Sequence, residues 1–140
     1  MRKITYTLFL ALGITSLPVV ADIAGAQQLA IKYGAFAKNI DPASKGLSAD
    51  AGRAFYIREI TIKGKQVSCS SCHTDNPAGT GKHMVTKKNI LPLAPAANAK
   101  RFSNLDKVEK NFKKHCEDIL GRDCTAQEKG DVITYLLSVK

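Results

Sequence analysis

Cys69-Ser70-Ser71-Cys72-His73 is the stretch of this sequence whose residue types and spacing dictate a specific chemistry. Two thiols separated by two residues fall on one side of a tight turn. At that spacing they can add across the two vinyl groups of one porphyrin edge to give thioethers. A histidine directly after the second cysteine then swings under the ring and offers a nitrogen to iron, the arrangement of a covalently attached haem c. Three other uses of the pair compete with this reading. A thioredoxin-like redox site would sit in a βαβ pattern, and none surrounds it. A zinc site would need a second ligand pair at finger-like spacing, which the sequence lacks. A structural disulfide is the third. The motif predicts one haem on Cys69 and Cys72, with His73 as proximal iron ligand.

What such an iron does depends on its other face. The candidates are His83, Met84 and His115. Met84 lies eleven residues past His73, at the end of the polar run Gly79-Thr80-Gly81-Lys82-His83-Met84. So short a loop does not easily pass round the ring, so Met84 is the weaker alternative, and His83 shares its difficulty. His115 follows Leu105, Val108 and Phe112 at helical spacing and can project from the edge of an apolar face. A lone helical histidine is usually a satisfied core or surface residue. Here an iron needs a partner, so His115 is the expected distal ligand, with an open or water-bound site as the competing outcome. The free ring nitrogen of His73 needs an acceptor, and a carbonyl of Ile90-Leu91-Pro92-Leu93-Ala94-Pro95 could supply it while that segment packs on the haem.

The remaining thiols, Cys116 and Cys124, follow the candidate ligand directly. A disulfide between them requires the chain to turn back at Gly121 and would fix the backbone of His115. Two free buried thiols are the alternative; in an exported chain the disulfide is favoured.

These groups need helices to hold them. The spacing predicts a first helix over Asp22 to Lys38, with Ala24, Leu29, Ile31, Tyr33 and Phe36 as its apolar positions. Pro42 and Gly46 mark a loop, after which Ser48 caps a second helix running to about Ile60. Gly52 in that helix suits a close approach by another backbone. Lys63-Gly64-Lys65 reads as a turn leading into Cys69. Residues 74 to 101 hold Pro77, Gly79, Gly81, Pro92 and Pro95 and read as irregular, a length that asks for something packed beneath it. A third helix is expected from Asn104 as N-cap to Leu120, with Gly121 ending it. Thr125 with Glu128 forms a capping box for the last helix, whose apolar face is Val132, Ile133, Tyr135, Leu136 and Leu137.

The 140 residues suit one modest domain. Arg2 and Lys3, the apolar run Ile4 to Leu17, Pro18 and the small residues Val19-Val20-Ala21 have the order of a signal peptide. Cleavage after Ala21 is preferred to cleavage after Ala26; an uncleaved anchor is the competing reading. The expected organisation is a leader at 1–21 and one domain at 22–140. The net charge of +9 loses Arg2 and Lys3 with the leader, which carries no acid, and falls to +7. With no Trp, five Phe and four Tyr, so small a domain has limited apolar material for a core. A large covalent apolar cofactor would supply the missing volume.

At this point the residues resemble a known family. Gly52 and Phe55, with Tyr135 and Leu136, are similar to the crossing helix pair of a class I cytochrome c. Ile90 to Pro95, Arg101-Phe102, Lys107-Val108-Glu109-Lys110 and Gly121-Arg122-Asp123-Cys124-Thr125 with Glu128-Lys129 resemble the sphaeroides haem protein group, over about half of the mature chain. The resemblance implies an all-α fold with crossed N- and C-terminal helices around one covalent haem, here with an extra N-terminal helix. It implies Cys116–Cys124 as a disulfide near the distal ligand, and haem contacts at Pro92, Arg101 and Phe102. In that group the distal ligand is an asparagine released on reduction, so that the ferrous iron can take oxygen, carbon monoxide or nitric oxide; the matching position here is His115. Its implied partners are a dihaem cytochrome c and a membrane cytochrome b.

Imidazole binds iron more strongly than an amide. The leading expectation is therefore a periplasmic electron carrier with His73/His115 ligation rather than an enzyme. Its basic surface would steer it to an acidic partner. The alternative is a haem protein whose distal ligand leaves on reduction and which binds or turns over oxygen or nitric oxide. Nucleic-acid binding is a distant third reading: it fits the charge, but export and the lack of a basic-aromatic motif argue against it.

Overall fold

The computed structural model describes residues 21–140. The expected leader lies outside these residues except for Ala21, which begins the first helix. Five helices and two short hairpins follow in the order α1 (Ala21–Ile40), α2 (Ala49–Ile57), β1 (Ile60–Ile62), β2 (Lys65–Val67), α3 (Ser70–His73), β3 (Gly81–Lys82), β4 (Asn89–Ile90), α4 (Leu105–Leu120) and α5 (Ala126–Ser138). Among the described residues no helix is long and apolar enough to cross a membrane.

Helix α1 buries Ala26, Leu29, Ala30, Tyr33 and Ala37, a stripe at steps of three and four. Its alanines let it lie close against α5. Ile31 and Phe36 were expected on the same stripe but are 74% and 48% exposed, because their positions rotate them off the face that meets α5.

Helix α2 starts where Ser48 accepts a hydrogen bond from Ala51 N (3.2 Å) and packs on α5. A Cβ at Gly52 would collide with the Asp131 carbonyl, so only glycine permits this approach. The contact is pinned by Asp131 Oδ1, which accepts from Ser48 N at 2.7 Å and from Gln127 Nε2 at 2.9 Å. The helix ends at Ile57 rather than near Ile60. Ile60 instead opens β1, which pairs antiparallel with β2. Their two-residue turn holds both Lys63 (φ 50) and Gly64 (φ 76) at positive φ, the geometry that fits the right-handed strand twist. A second hairpin, β3 with β4, interrupts the stretch expected to be irregular. The all-helical expectation therefore holds for the mass of the domain but not for these two hairpins.

Helix α4 has the caps its sequence calls for. Asn104 accepts from Lys107 N at 2.8 Å, and Gly121 ends the helix in the left-handed region at φ 70. The turn onto α5 is tied by polar contacts. Thr125 and Glu128 form the reciprocal capping box, Arg122 grips the Glu128 carboxylate through two bonds of 2.7 and 2.8 Å, and Lys129 reaches Asp123 at 2.8 Å. The core joins Leu29 and Tyr33 of α1, Tyr56 of α2, Phe102, and Val132, Ile133, Tyr135 and Leu136 of α5.

Candidate functional site

A cleft opens between α4 and the α2–α5 body. Its walls are mostly apolar: Phe55, Ile60, Leu93, Phe102, Val108 and Phe112 among others. Cys69, His73, Arg101 and His115 add the chemistry, and the Cys116 and Cys124 side chains close one end.

The cysteine motif folds as one helical turn. Cys72 N and His73 N both donate to the Cys69 carbonyl, at 3.3 and 3.1 Å. The serines around it make the turn self-sufficient: Ser68 N donates to Ser71 Oγ at 3.0 Å, and Ser71 N to Ser68 Oγ at 3.2 Å. These bonds satisfy donors that the first turn of a helix leaves free. Cys69 lines the cleft, while Cys72, on the same turn, is half-buried beside it. Burial pushes the Cys69 thiol pKa up.

Two residues that sequence reasoning missed hold this turn. Tyr56 is fully buried, packs its ring 5.5 Å from that of Tyr135, and donates its hydroxyl to the Thr74 carbonyl at 2.7 Å. That bond fixes the chain where Thr74 reverses it at φ 64. Gly81 of β3 lies against the Cys72 carbonyl and His73 Cα, leaving no room for a side chain. The signal for Gly81 was its glycine in a polar loop, which looks the same as flexibility until the partner is seen.

The imidazoles of His73 and His115 face each other with ring centres 6.3 Å apart and planes tilted by 55°. A metal–imidazole bond is about 2.0–2.1 Å, and the nitrogen lies on the order of 1 Å from its ring centre, so two imidazoles opposed across one metal have centres roughly 6 Å apart. The rings can rotate about those bonds, so the tilt is no obstacle. His73 is lowered to about 4 by burial first, then by Arg101 and His115. His115 is lowered too, chiefly by burial and then by Lys114. Both are therefore neutral near pH 7, the form that binds a metal.

Other expected residues fall elsewhere. Met84 and His83 are absent from the cleft wall. Residues 83 to 88 close the β3–β4 hairpin, where His83 N donates to the Lys88 carbonyl (2.9 Å) and His83 Nδ1 accepts from Val85 N and Thr86 N. Met84, the weaker expected iron ligand, is not among the residues that line the cleft. Pro92 also lies outside the wall, and its carbonyl accepts from Asn98 Nδ2 at 2.9 Å. Its neighbour Leu93 lines the cleft instead, with Arg101 and Phe102 as expected. Asn111, not singled out before, lines the cleft one helical turn ahead of His115; the i, i+4 spacing was the available signal. Cys116 and Cys124 form the expected disulfide, with Cα atoms 5.5 Å apart.

An apolar slot, two facing neutral imidazoles and a cysteine turn at its edge fit a haem, and they define the class: a small helical domain built round one covalently attached porphyrin. Comparison with known proteins narrows it. Residues 42–136 match the family model described as a domain of unknown function, DUF1924. Cytochrome c'' of Methylophilus methylotrophus is 48% identical over 120 residues, covering 85% of this chain and 83% of that protein. The cytochrome c-type protein SHP of Cereibacter sphaeroides is 39% identical over 97 residues, covering 67% and 74%. The crystal structure of oxidised cytochrome c'' superposes with a TM-score of 0.81 at 47% identity over 85% of this chain and 98% of that one. Oxidised SHP, described as an oxygen-binding cytochrome c, gives 0.69 at 35% identity over 79% and 94%. The chain belongs to the family of monohaem c-type cytochromes that includes cytochrome c'' and SHP, whose cofactor is a covalently attached haem c.

Proposed function

We propose that this cytochrome is an exported single-electron carrier whose haem is bonded to Cys69 and Cys72 and ligated by His73 and His115. The observation that carries the reading is the 6.3 Å separation of the two imidazole centres across the cleft. The haem supplies a one-electron Fe(III)/Fe(II) couple. The chain supplies the rest: Phe55, Leu93, Phe102 and Phe112 exclude water, Tyr56 and Gly81 hold the His73 turn, and the Cys116–Cys124 disulfide holds the end of α4 beside His115. The α2–α5 contact at Gly52 is read as the crossed helix pair of a class I cytochrome c, with α1 as an added helix.

Export to the periplasm follows from the leader. Cleavage after Ala21 would remove only the first residue of α1, whereas cleavage after Ala26 would remove its first six, among them the fully buried Ala26. The exposed lysines of α4, including Lys113 and Lys114, would dock an acidic redox partner, with a dihaem cytochrome c and a membrane cytochrome b as the proposed classes.

A second reading is of comparable weight: His115 leaves on reduction and the reduced protein takes a diatomic gas. It is favoured by SHP, described as oxygen-binding, and by cytochrome c'', whose solution structure bears on haem-ligand detachment. His115→Ala tests the ligand set that both readings share. The oxidised variant is expected to lose the low-spin spectrum of the parent; an unchanged low-spin spectrum would contradict ligation by His115.

A further inference from the structure

Helix α1 meets α4 at its start and its middle, and reaches the turn that follows it. Gly25 lies against the Phe102 carbonyl and the Leu105 side chain, where α4 begins. In the middle, Lys32 Nζ meets Glu109 Oε1 at 2.6 Å, and the Tyr33 hydroxyl donates to the same oxygen at 3.4 Å. Beyond α4, Lys129 Nζ lies 5.7 Å from the centre of the Tyr33 ring and pairs with Asp123 at 2.8 Å, beside Cys124 of the disulfide. Tyr33 itself is buried on α5, so its hydroxyl is a fixed point. Burial first, and then the Glu109 carboxylate, push its phenol up to about 12, so it stays a donor.

Glu109 stands out among the acids of α4. Among the described residues, Glu117 and Asp118 pair with Lys113 and Lys114 of α4 itself, whereas Glu109 reaches another helix. That reach matters because α1 and α2 both pack closely on α5, and α4 meets no other helix as closely. Glu109 is not in the cleft wall; His115, six residues on, is. At the helical rise and turn the two are about 9 Å apart along the axis and about 120° apart round it. The grip on Glu109 is therefore on one side of α4 and the imidazole on another, and a stiff helix carries a shift at the first to the second.

We propose that Glu109 is a positioning residue for the distal ligand: gripped by Lys32 and Tyr33, it clasps α4 to α1 and sets how readily His115 lets go of the iron. This rests on the proposed ligation by His115, and it gives α1 a task beyond filling the core. The Lys32 and Glu109 side chains are 48% and 33% exposed. A pair so open to water is a modest restraint that salt weakens. The clasp therefore tunes the distal side rather than holding the fold together.

The test follows cyanide binding to the oxidised holoprotein, a step that must wait for the distal ligand to leave. Glu109→Gln and Lys32→Met are each expected to bind cyanide about two- to fivefold faster than the parent. The exchanged pair, Lys32→Glu with Glu109→Lys, is expected to return most of the way to the parent rate. Raising the salt from about 0.01 to about 1 M shortens the screening length from about 30 to about 3 Å; it should speed the parent and leave Glu109→Gln unmoved. Amide hydrogen exchange along α4 beyond Glu109 should quicken in Glu109→Gln while that of α2 stays. Single variants that bind cyanide at the parent rate or slower, or an exchanged pair as fast as the singles, would overturn the proposal. So would a lower unfolding midpoint with an unmoved cyanide rate, the mark of a merely structural pair. Should a variant fail to fold, the salt response of the parent decides, and a parent rate indifferent to salt would overturn the clasp. His115→Ala separates the two claims: if it binds cyanide no faster than the parent, the ligand set has failed and the clasp with it. A fast His115→Ala beside unmoved Glu109→Gln and Lys32→Met would overturn the clasp alone.

Discussion

The two walls of the cleft are built to different standards of rigidity. On the His73 side the chain is locked by short-range geometry: serine hydroxyls close the cysteine turn, Tyr56 holds the Thr74 carbonyl, and Gly81 lies against the His73 backbone. On the His115 side, α4 is moored mainly near its ends. Phe102 and Leu105 pack beneath Gly25 at one end, and the disulfide ties Cys116 to Cys124 at the other. Lys32 adds an ion pair to Glu109 at 2.6 Å. Between these moorings Val108 joins the core and Phe112 packs on it, while Val108, Asn111, Phe112 and His115 also line the cleft. The difference teaches a division of labour: the His73 turn is fixed by the protein's own short-range bonds, whereas the His115 stretch of α4 has fewer of them, which on the proposed ligand set would leave the distal side the more easily released.

The comparison can be broken first at the cysteines. Cys69→Ala with Cys72→Ala removes both thioether bonds, and the protein is expected to lose its haem completely into acid acetone, where the parent retains it. Retention by the double variant would mean that those thiols are not the attachment points. Next is the distal mooring. Replacing Cys116 and Cys124 by Ala opens a loop of sequence separation 8 and should cost about 2–3 kcal/mol of stability, measured by denaturant unfolding of the holoprotein. Carbon monoxide binding to the reduced form should also become faster. A stability loss with no change in ligand kinetics would separate the disulfide from the motion of His115.

The smallest expected effect lies in the turn onto α5. The Arg122 pair holds the Glu128 carboxyl below its ordinary value of 4.5. A depressed folded-state pKa means the contribution is present above 4.5 and fades as pH falls through the folded value. Glu128→Gln is therefore expected to be less stable than the parent at neutral pH. The gap should close as pH drops below that range, as thermal unfolding across pH would record. A gap that widened in acid would contradict this account of the turn.

Local chemistry was the part legible in the sequence. The cysteine motif, the Asn104 and Gly121 caps, the Thr125–Glu128 box and the Cys116–Cys124 pair each depend on residues within a few positions of one another. What was hidden depends on distant partners. Ile31 and Phe36 look like core residues until α5 fixes which face of α1 is covered. Gly81 looks like a flexible loop residue until the Cys72 carbonyl is found against it. Pro92 looked like the residue facing the haem, yet its neighbour Leu93 lines the cleft, while the Pro92 carbonyl accepts from Asn98. His115 lay between these extremes: its helix face was readable, but its distance from His73 was not.

The visible spectrum of the protein, oxidised and dithionite-reduced, with and without carbon monoxide, tests the central claim of His73 and His115 ligation most directly. The account predicts an oxidised form that is low-spin and six-coordinate; a reduced form that stays so and ignores carbon monoxide fits the electron carrier, and one that turns high-spin and shifts on adding carbon monoxide fits the release of His115. A high-spin oxidised form would contradict ligation by both histidines.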